Sequence, residues 1–173
     1  GTTGHPKGAM MTHGHLWAKA DALARLWGWR GEDVLLHAMP IFHTHGLFLS
    51  MHCLLASGSG MIFLAQFDAE SVIRLLPRAT VFTGVPTMYT RMLANPALNA
   101  EVCRNMRLFI SGSAPLSAET FHAFRERTGH TILECWGMTE TLTNASNPLI
   151  GNRRAGTVGL PVPGVELRIV DDE

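Results

Sequence analysis

Residues 107–135 read RLFISGSAPLSAETFHAFRERTGHTILEC. Two short apolar runs, 107–112 and 131–135, flank a loop of small residues and a helical segment that starts at Ser117 and reaches about Thr128. The runs are too short for helices and are rich in strand-forming residues, so the pattern predicts strand, loop, helix, strand. Strands that alternate with helices pair in parallel, with function carried by the loops at their C-terminal ends.

The same rhythm extends outward. Further strands are predicted at DVLLHA (33–38), GMIFLA (60–65), TVFTGV (80–85) and VELRIV (165–170). Thr12 can cap a first helix, in which Leu16, Ala20, Leu23 and Trp27 recur at helical spacing until Gly28. Helices are also predicted at GLFLSMHCLLA (46–56), DAESVIRLLP (68–77), capped by Asp68, and PTMYTRMLAN (86–95), with Pro86 in its first turn. The expected fold is α/β, with alternating strands and helices and a largely parallel sheet. No internal repeat or low-complexity linker interrupts it.

The 173 residues suit one domain, and 46% hydrophobic with 16% charged residues is the balance of a globular protein. Fourteen basic residues offset fourteen acidic ones without a run of either sign, which argues against a nucleic-acid partner and for a small-molecule one. The most apolar stretch, 46–65, is interrupted by His52 and by Ser57–Gly60, so no membrane span is expected; it reads as a buried helix followed by a buried strand. Three scattered cysteines suit neither a disulfide framework nor a structural zinc site. A reducing, cytoplasmic location is the default expectation, and oligomeric state is not readable. The chain opens inside a loop and stops just after a predicted strand, as a cut piece of a longer protein would.

Three motifs carry chemistry. GTTGHPKG (1–8) has glycines that let backbone N–H groups approach phosphate, threonine hydroxyls as added donors, and Lys7 as a mobile charge; its order is not that of the common NTPase loop, and a flexible surface turn is the alternative. LFISGSAPL ends a strand in Gly112, Ser113, Ala114 and Pro115, small enough for a flat ring to slide against the backbone, or simply a strand-to-helix turn. ECWGMTET (134–141) offers an aromatic ring, a hydroxyl and a carboxylate. In MPIFHTHGLF, a His43–x–His45 pair lacks a visible third metal ligand at plausible spacing, and a packed histidine is the plainer reading.

Together these stretches resemble the adenylate-forming enzymes, the superfamily of acyl-CoA synthetases, luciferases and peptide-synthetase adenylation domains. The similarity runs over essentially the whole chain, including GTVGLPVPGVELRIV (156–170), to which a structural role is given. It implies a central piece (1–173) of the large N-terminal AMP-binding domain. It also implies that Thr2, Thr3, Gly4 and Lys7 cover the β- and γ-phosphates of ATP. Gly112, Ser113, Ala114 and Pro115 then flank adenine, on which Trp136 stacks beside Gly137. Thr139 meets the α-phosphate, Glu140 binds Mg2+, and the His43 ring lies beside the acyl carboxylate. Trp136 stands where the family more often has Tyr, so stacking persists and a phenolic hydrogen bond is lost.

Within the superfamily, PIFHTHGLF, GVPTMYTRML and GMTETLTNASNP look closest to malonyl-CoA synthetases. On that resemblance Arg91, on a segment that lines the family's acyl pocket, and Ser111 are candidates for the far carboxylate; a buried cation suits a dicarboxylate and is costly beside a monocarboxylate, although Arg91 also reads as an ordinary surface helix residue. Thr44 and Met138 would set pocket size, with Asn144, Ser146 and Asn147 on its floor or in loop caps. The expected reaction joins malonate to coenzyme A at the expense of ATP, through an acyl-adenylate. The family's ribose-binding aspartate and catalytic lysine belong downstream of Glu173, so the 173 residues alone are expected to be inactive. Methylmalonate or acetate is the alternative acid, and a non-catalytic nucleotide-binding module the alternative class.

Overall fold

The computed structural model describes residues 4, 5 and 7–171. Among these residues seven strands form one sheet in the order β2-β1-β3-β4-β5-β6-β7. Strands β1 (Val34–His37), β2 (Gly60–Phe63), β3 (Val81–Gly84), β4 (Leu108–Ser111) and β5 (Leu133–Met138) pair in parallel; β6 (Leu142–Ser146) and β7 (Leu160–Pro161) continue the sheet antiparallel. Helices α1 (His13–Leu26) and α2 (His52–Ser57) cover one face, and α3 (Ala69–Leu75), α4 (Pro86–Leu93) and α5 (Ala118–Thr128) the other.

Successive strand side chains point to opposite faces, and here both faces are covered. Leu35, Val81, Leu108, Ile110 and Leu133 join Leu23, Trp27 and Cys53 in one core. Leu36, Phe82 and Phe109 join Ile73, Tyr89, Met92 and Phe124 in the other. This is why the parallel strands read as continuous apolar runs. The predicted caps are present: Thr12 accepts from the His15 N–H and Asp68 from the Ser71 N–H, and Pro86 occupies the first turn of α4. Among the described residues no helix is long and apolar enough to cross a membrane.

Four expectations change. The helix expected over 46–56 begins as a π-helical segment, His45–Met51, that runs into α2. The strand 60–65, expected to be buried, is an edge strand, because β1 is its sole neighbour in the sheet among the described residues, and Met61 and Phe63 are exposed. VELRIV makes no strand: Leu167, Ile169 and Val170 are exposed and nothing pairs with their backbone among the described residues. Conversely, β6 was not predicted, because LTNAS lacks the apolar alternation that marks a strand, yet it is fully buried against β5.

Candidate active site

The parallel strands end on one side of the sheet, where an open-sheet α/β fold gathers its ligands. Three of those ends build a cleft of about 140 Å3. The segment after β1 brings His43, Thr44 and His45; the β4 end brings Gly112 and Ser113; the β5–β6 hairpin brings Gly137, Met138 and Thr139. α1 closes the wall with Lys19 and Leu23.

The hairpin depends on one residue without a side chain. Its register shifts between Trp136 and Gly137, and a Cβ on Gly137 would lie 2.1 Å from the Leu142 carbonyl oxygen. The resulting bulge aims successive residues differently. Thr139 lines the cleft, whereas Glu140 lines the adjoining groove with Met11, His15 and Pro163, and Lys19 and Leu142 form the wall between the two. Asn144 and Asn147, expected on the pocket floor or in caps, act as caps and ties: Asn144 Nδ2 donates to Thr141 Oγ1 (2.8 Å) and Asn147 Nδ2 to the Glu134 carbonyl (3.2 Å). Ser146 Oγ accepts from Trp27 Nε1 (2.9 Å), fixing the end of α1 to β6.

The Gly112–Pro115 loop is held from below. The Leu116 N–H donates to Glu134 Oε1 (2.9 Å), and Tyr89 Oη donates to the Ile110 carbonyl (2.6 Å) one residue before the strand ends. Burial pushes the Glu134 carboxyl up, against the pull of the Leu116 N–H. It also pushes the Cys135 thiol up to about 12, helped by Glu134, so this cleft-lining sulfur is inert as a nucleophile. His45 is almost wholly buried, and desolvation, followed by its neighbours His43 and His37, lowers its pKa to about 4. Its ring is therefore neutral.

The expected site residues separate into groups. His43, Thr44, Gly112, Ser113, Gly137, Met138 and Thr139 meet in the cleft, and Glu140 stands in the groove beside it. Ala114, Pro115 and Trp136 are exposed near its rim, Trp136 by 43%. Gly4 and Lys7 are exposed and outside the cleft lining, and Thr2 and Thr3 lie outside the described residues. Arg91 and Ser111 are not brought into the cleft. Met88, Tyr89 and Met92 occupy the buried face of α4, which turns Arg91 outward, its guanidinium 5.2 Å from the Phe67 ring centre. The Ser111 hydroxyl is buried without a partner among the described residues.

Comparison with known proteins gives the same assignment as the motifs. The AMP-binding enzyme family matches residues 1–173. This chain belongs to that family. As an AMP-binding chain it is 40% identical to the mouse mitochondrial malonate–CoA ligase ACSF3, over 99% of this chain and 32% of the relative. It is 39% identical to an Arabidopsis thaliana malonate–CoA ligase, over 100% of this chain and 32% of the relative. Among solved structures, ATP-bound MatB from Rhodopseudomonas palustris superposes with a TM-score of 0.97 at 50% identity, covering 100% of this chain and 34% of that one. A malonyl-CoA ligase product complex with methylmalonyl-CoA and AMP superposes at 0.90 with 43% identity, over 100% and 40%. The chain thus spans about a third of the length of the curated relatives it matches.

Sequence reading gave no role to Lys19, Phe48, Leu49 or Thr143, which also line the cleft of this AMP-binding chain. Lys19 had a usable signal, since it lies one turn before Leu23 on the apolar stripe of α1, where a cation is out of place. Its ammonium is half-buried, donates to the Thr143 carbonyl at 2.7 Å, and has its pKa lowered by burial.

Proposed function

We propose that the protein containing this chain is an AMP-forming acid–thiol ligase that converts malonate to malonyl-CoA. The observation that carries the reading is the convergence of His43, Thr44, Met138 and Thr139 in one cleft, with Glu140 beside it, in a chain similar along its whole length to malonate–CoA ligases. In the first half-reaction a malonate carboxylate oxygen attacks the α-phosphorus of ATP and pyrophosphate leaves. In the second, the sulfur of coenzyme A attacks the acyl carbon and AMP leaves. Catalysis of this kind is positioning and charge neutralisation, and needs no covalent enzyme nucleophile.

Each side chain has a task in that scheme. Thr139 offers a hydroxyl to the α-phosphate, where charge changes during transfer. The backbone N–H of His45 donates to His43 Nδ1 at 3.1 Å, which leaves the His43 proton on Nε2 for the attacking acid. Glu140 fits a magnesium ligand: it is exposed, makes no ion pair among the described residues, and one carboxylate plus phosphate oxygens is how Mg2+ is usually held. A magnesium ion held by Glu140 would supply neutralisation of phosphate charge.

The test is pyrophosphate release from the full-length protein given ATP, Mg2+ and malonate, with malonyl-CoA identified by mass when coenzyme A is added. Malonate-dependent release is expected, and its absence would overturn the proposal. Methylmalonate is the second acid to try, because one of the solved neighbours holds methylmalonyl-CoA. The 173-residue chain by itself is expected to release none.

A further inference from the structure

Two described residues other than glycine have a positive φ, Ser113 (+68°) and Leu142 (+59°), and both line the cleft. For a bulky side chain such a backbone is an outlier, and strain of this kind gathers at functional positions. Leu142 is the harder case. The turn before it accounts for its backbone: the Thr141 N–H donates to the Met138 carbonyl at 3.3 Å, and a left-handed residue directly after that turn brings the chain back along β6. The turn does not account for the leucine, because glycine meets the same geometry without strain.

The side chain has a place of its own. Leu142 is buried, yet among the described residues it stands in neither of the two cores. It lies between two cavities and lines both, the cleft and the groove beside it, a position that Lys19 alone shares among the described residues. The Lys19 ammonium is occupied by the carbonyl of Thr143, the next residue of β6, at 2.7 Å, so its alkyl stem completes the partition beside the leucine. The groove side is wet, since Met10, His15 and Glu140 are all exposed. The cleft side holds His43 and Thr139, where on the reading above the acid and the α-phosphate meet.

An acyl-adenylate is a mixed anhydride, and water competes with the coenzyme A thiol for its acyl carbon. Attack by water forms a C–O bond, breaks the bond to AMP and releases a proton, so the acid is regenerated and ATP is consumed with no thioester made. Keeping water out of an active site prevents such side reactions. We infer that Leu142 is the water-excluding partition of this active site: its side chain, with the Lys19 stem, closes the cleft from the groove, so that the acyl-adenylate waits for the thiol and is not hydrolysed. The inference rests on the acid–thiol ligase reading above and gives the leucine a task that the hairpin backbone does not require.

The experiment gives ATP, Mg2+ and malonate to the full-length protein and its L142G, L142A and L142M variants, each checked for folding by its urea midpoint. Pyrophosphate release without coenzyme A reports adenylate hydrolysis after the first turnover, and malonyl-CoA formed per AMP reports coupling when the thiol is present. L142G keeps the left-handed backbone and relaxes it, so it removes the side chain without opening the hairpin. Thiol-independent release is expected to rise by about tenfold in L142G and L142A, and the coupling ratio to fall by about threefold or more, whereas L142M, close in volume, retains most of the wild-type ratio. In 18O-labelled water the label is expected in malonate. An unchanged ratio in folded L142G or L142A overturns the inference, and so does label found in AMP, because water would then be attacking phosphorus. Equal loss of pyrophosphate release in all the variants overturns it too, since the leucine would then only hold Thr139 in place. Wild-type protein that releases no pyrophosphate with malonate defeats the functional proposal itself, an outcome read before any variant is made.

Discussion

At the scale of single residues, the motifs located the cleft and missed part of its wall. The residues of ECWGMTET follow in order along one strand end, and the structure brings Gly137, Met138 and Thr139 to the cleft and Glu140 to the groove beside it. Arg91 was not legible in this way. Charge complementarity argues it inward, whereas the phase of Met88, Tyr89 and Met92 sets it on the exposed face of α4 against Phe67. Replacing Arg91 with alanine should therefore change the malonate KM of the full-length enzyme by no more than about twofold, as for a surface substitution away from a site. Initial rates across malonate concentrations check this, and a large rise would return the guanidinium to the acid. Gly137 is the opposite case, a position with no tolerance. Gly137→Ala places a methyl group against the Leu142 carbonyl, so the hairpin must open, at an expected cost of about 2–3 kcal/mol in urea denaturation and with loss of adenylation.

At the scale of elements, the parallel strands and their helices were legible because burial on both faces writes long apolar runs and because caps sit where helices begin. What escaped was β6, a buried strand with three polar residues among its five, tied in by hydrogen bonds such as Trp27 to Ser146 and Asn144 to Thr141. Pairing across the other end of the sheet was equally invisible. Asp33, just before β1, receives Arg107 Nε (2.6 Å), Thr80 Oγ1 (2.8 Å) and the Arg30 N–H (2.8 Å), and so ties the starts of β1, β3 and β4 together. Burial alone would raise the Asp33 carboxyl, but these hydrogen bonds and the Arg107 charge outweigh it and hold it below the ordinary carboxylate range. The folded-state pKa being depressed, the stabilisation is present above the unfolded value of about 4 and is lost as pH falls through the folded value. The urea midpoint should thus drop as pH falls below about 4, and D33N should flatten that drop. D33A, which strands a largely buried Arg107, should cost about 3 kcal/mol near neutral pH. An unaltered pH profile in D33N would remove the network from any register-setting role.

At the scale of the whole molecule, the two sides of the sheet differ in what they leave uncovered. Natural edge strands are usually guarded by charge, proline, bulges or a covering element. β2 has none of these among its own residues: Gly60–Phe63 is uncharged, and Met61 and Phe63 are exposed by 38% and 48%. Among the described residues its backbone pairs with β1 on one side only. The relatives are about three times as long, so further chain is available in them to cover such an edge. For the 173 residues alone the expectation is concentration-dependent self-association through β2, seen as a rising weight-average mass in sedimentation velocity. Met61→Lys places a charge on that edge without touching the Phe63–His37 stack, and should shift the population toward monomer. A monomeric wild-type chain at every concentration, or association indifferent to the lysine, would show that the β2 edge is guarded by its twist and shortness alone.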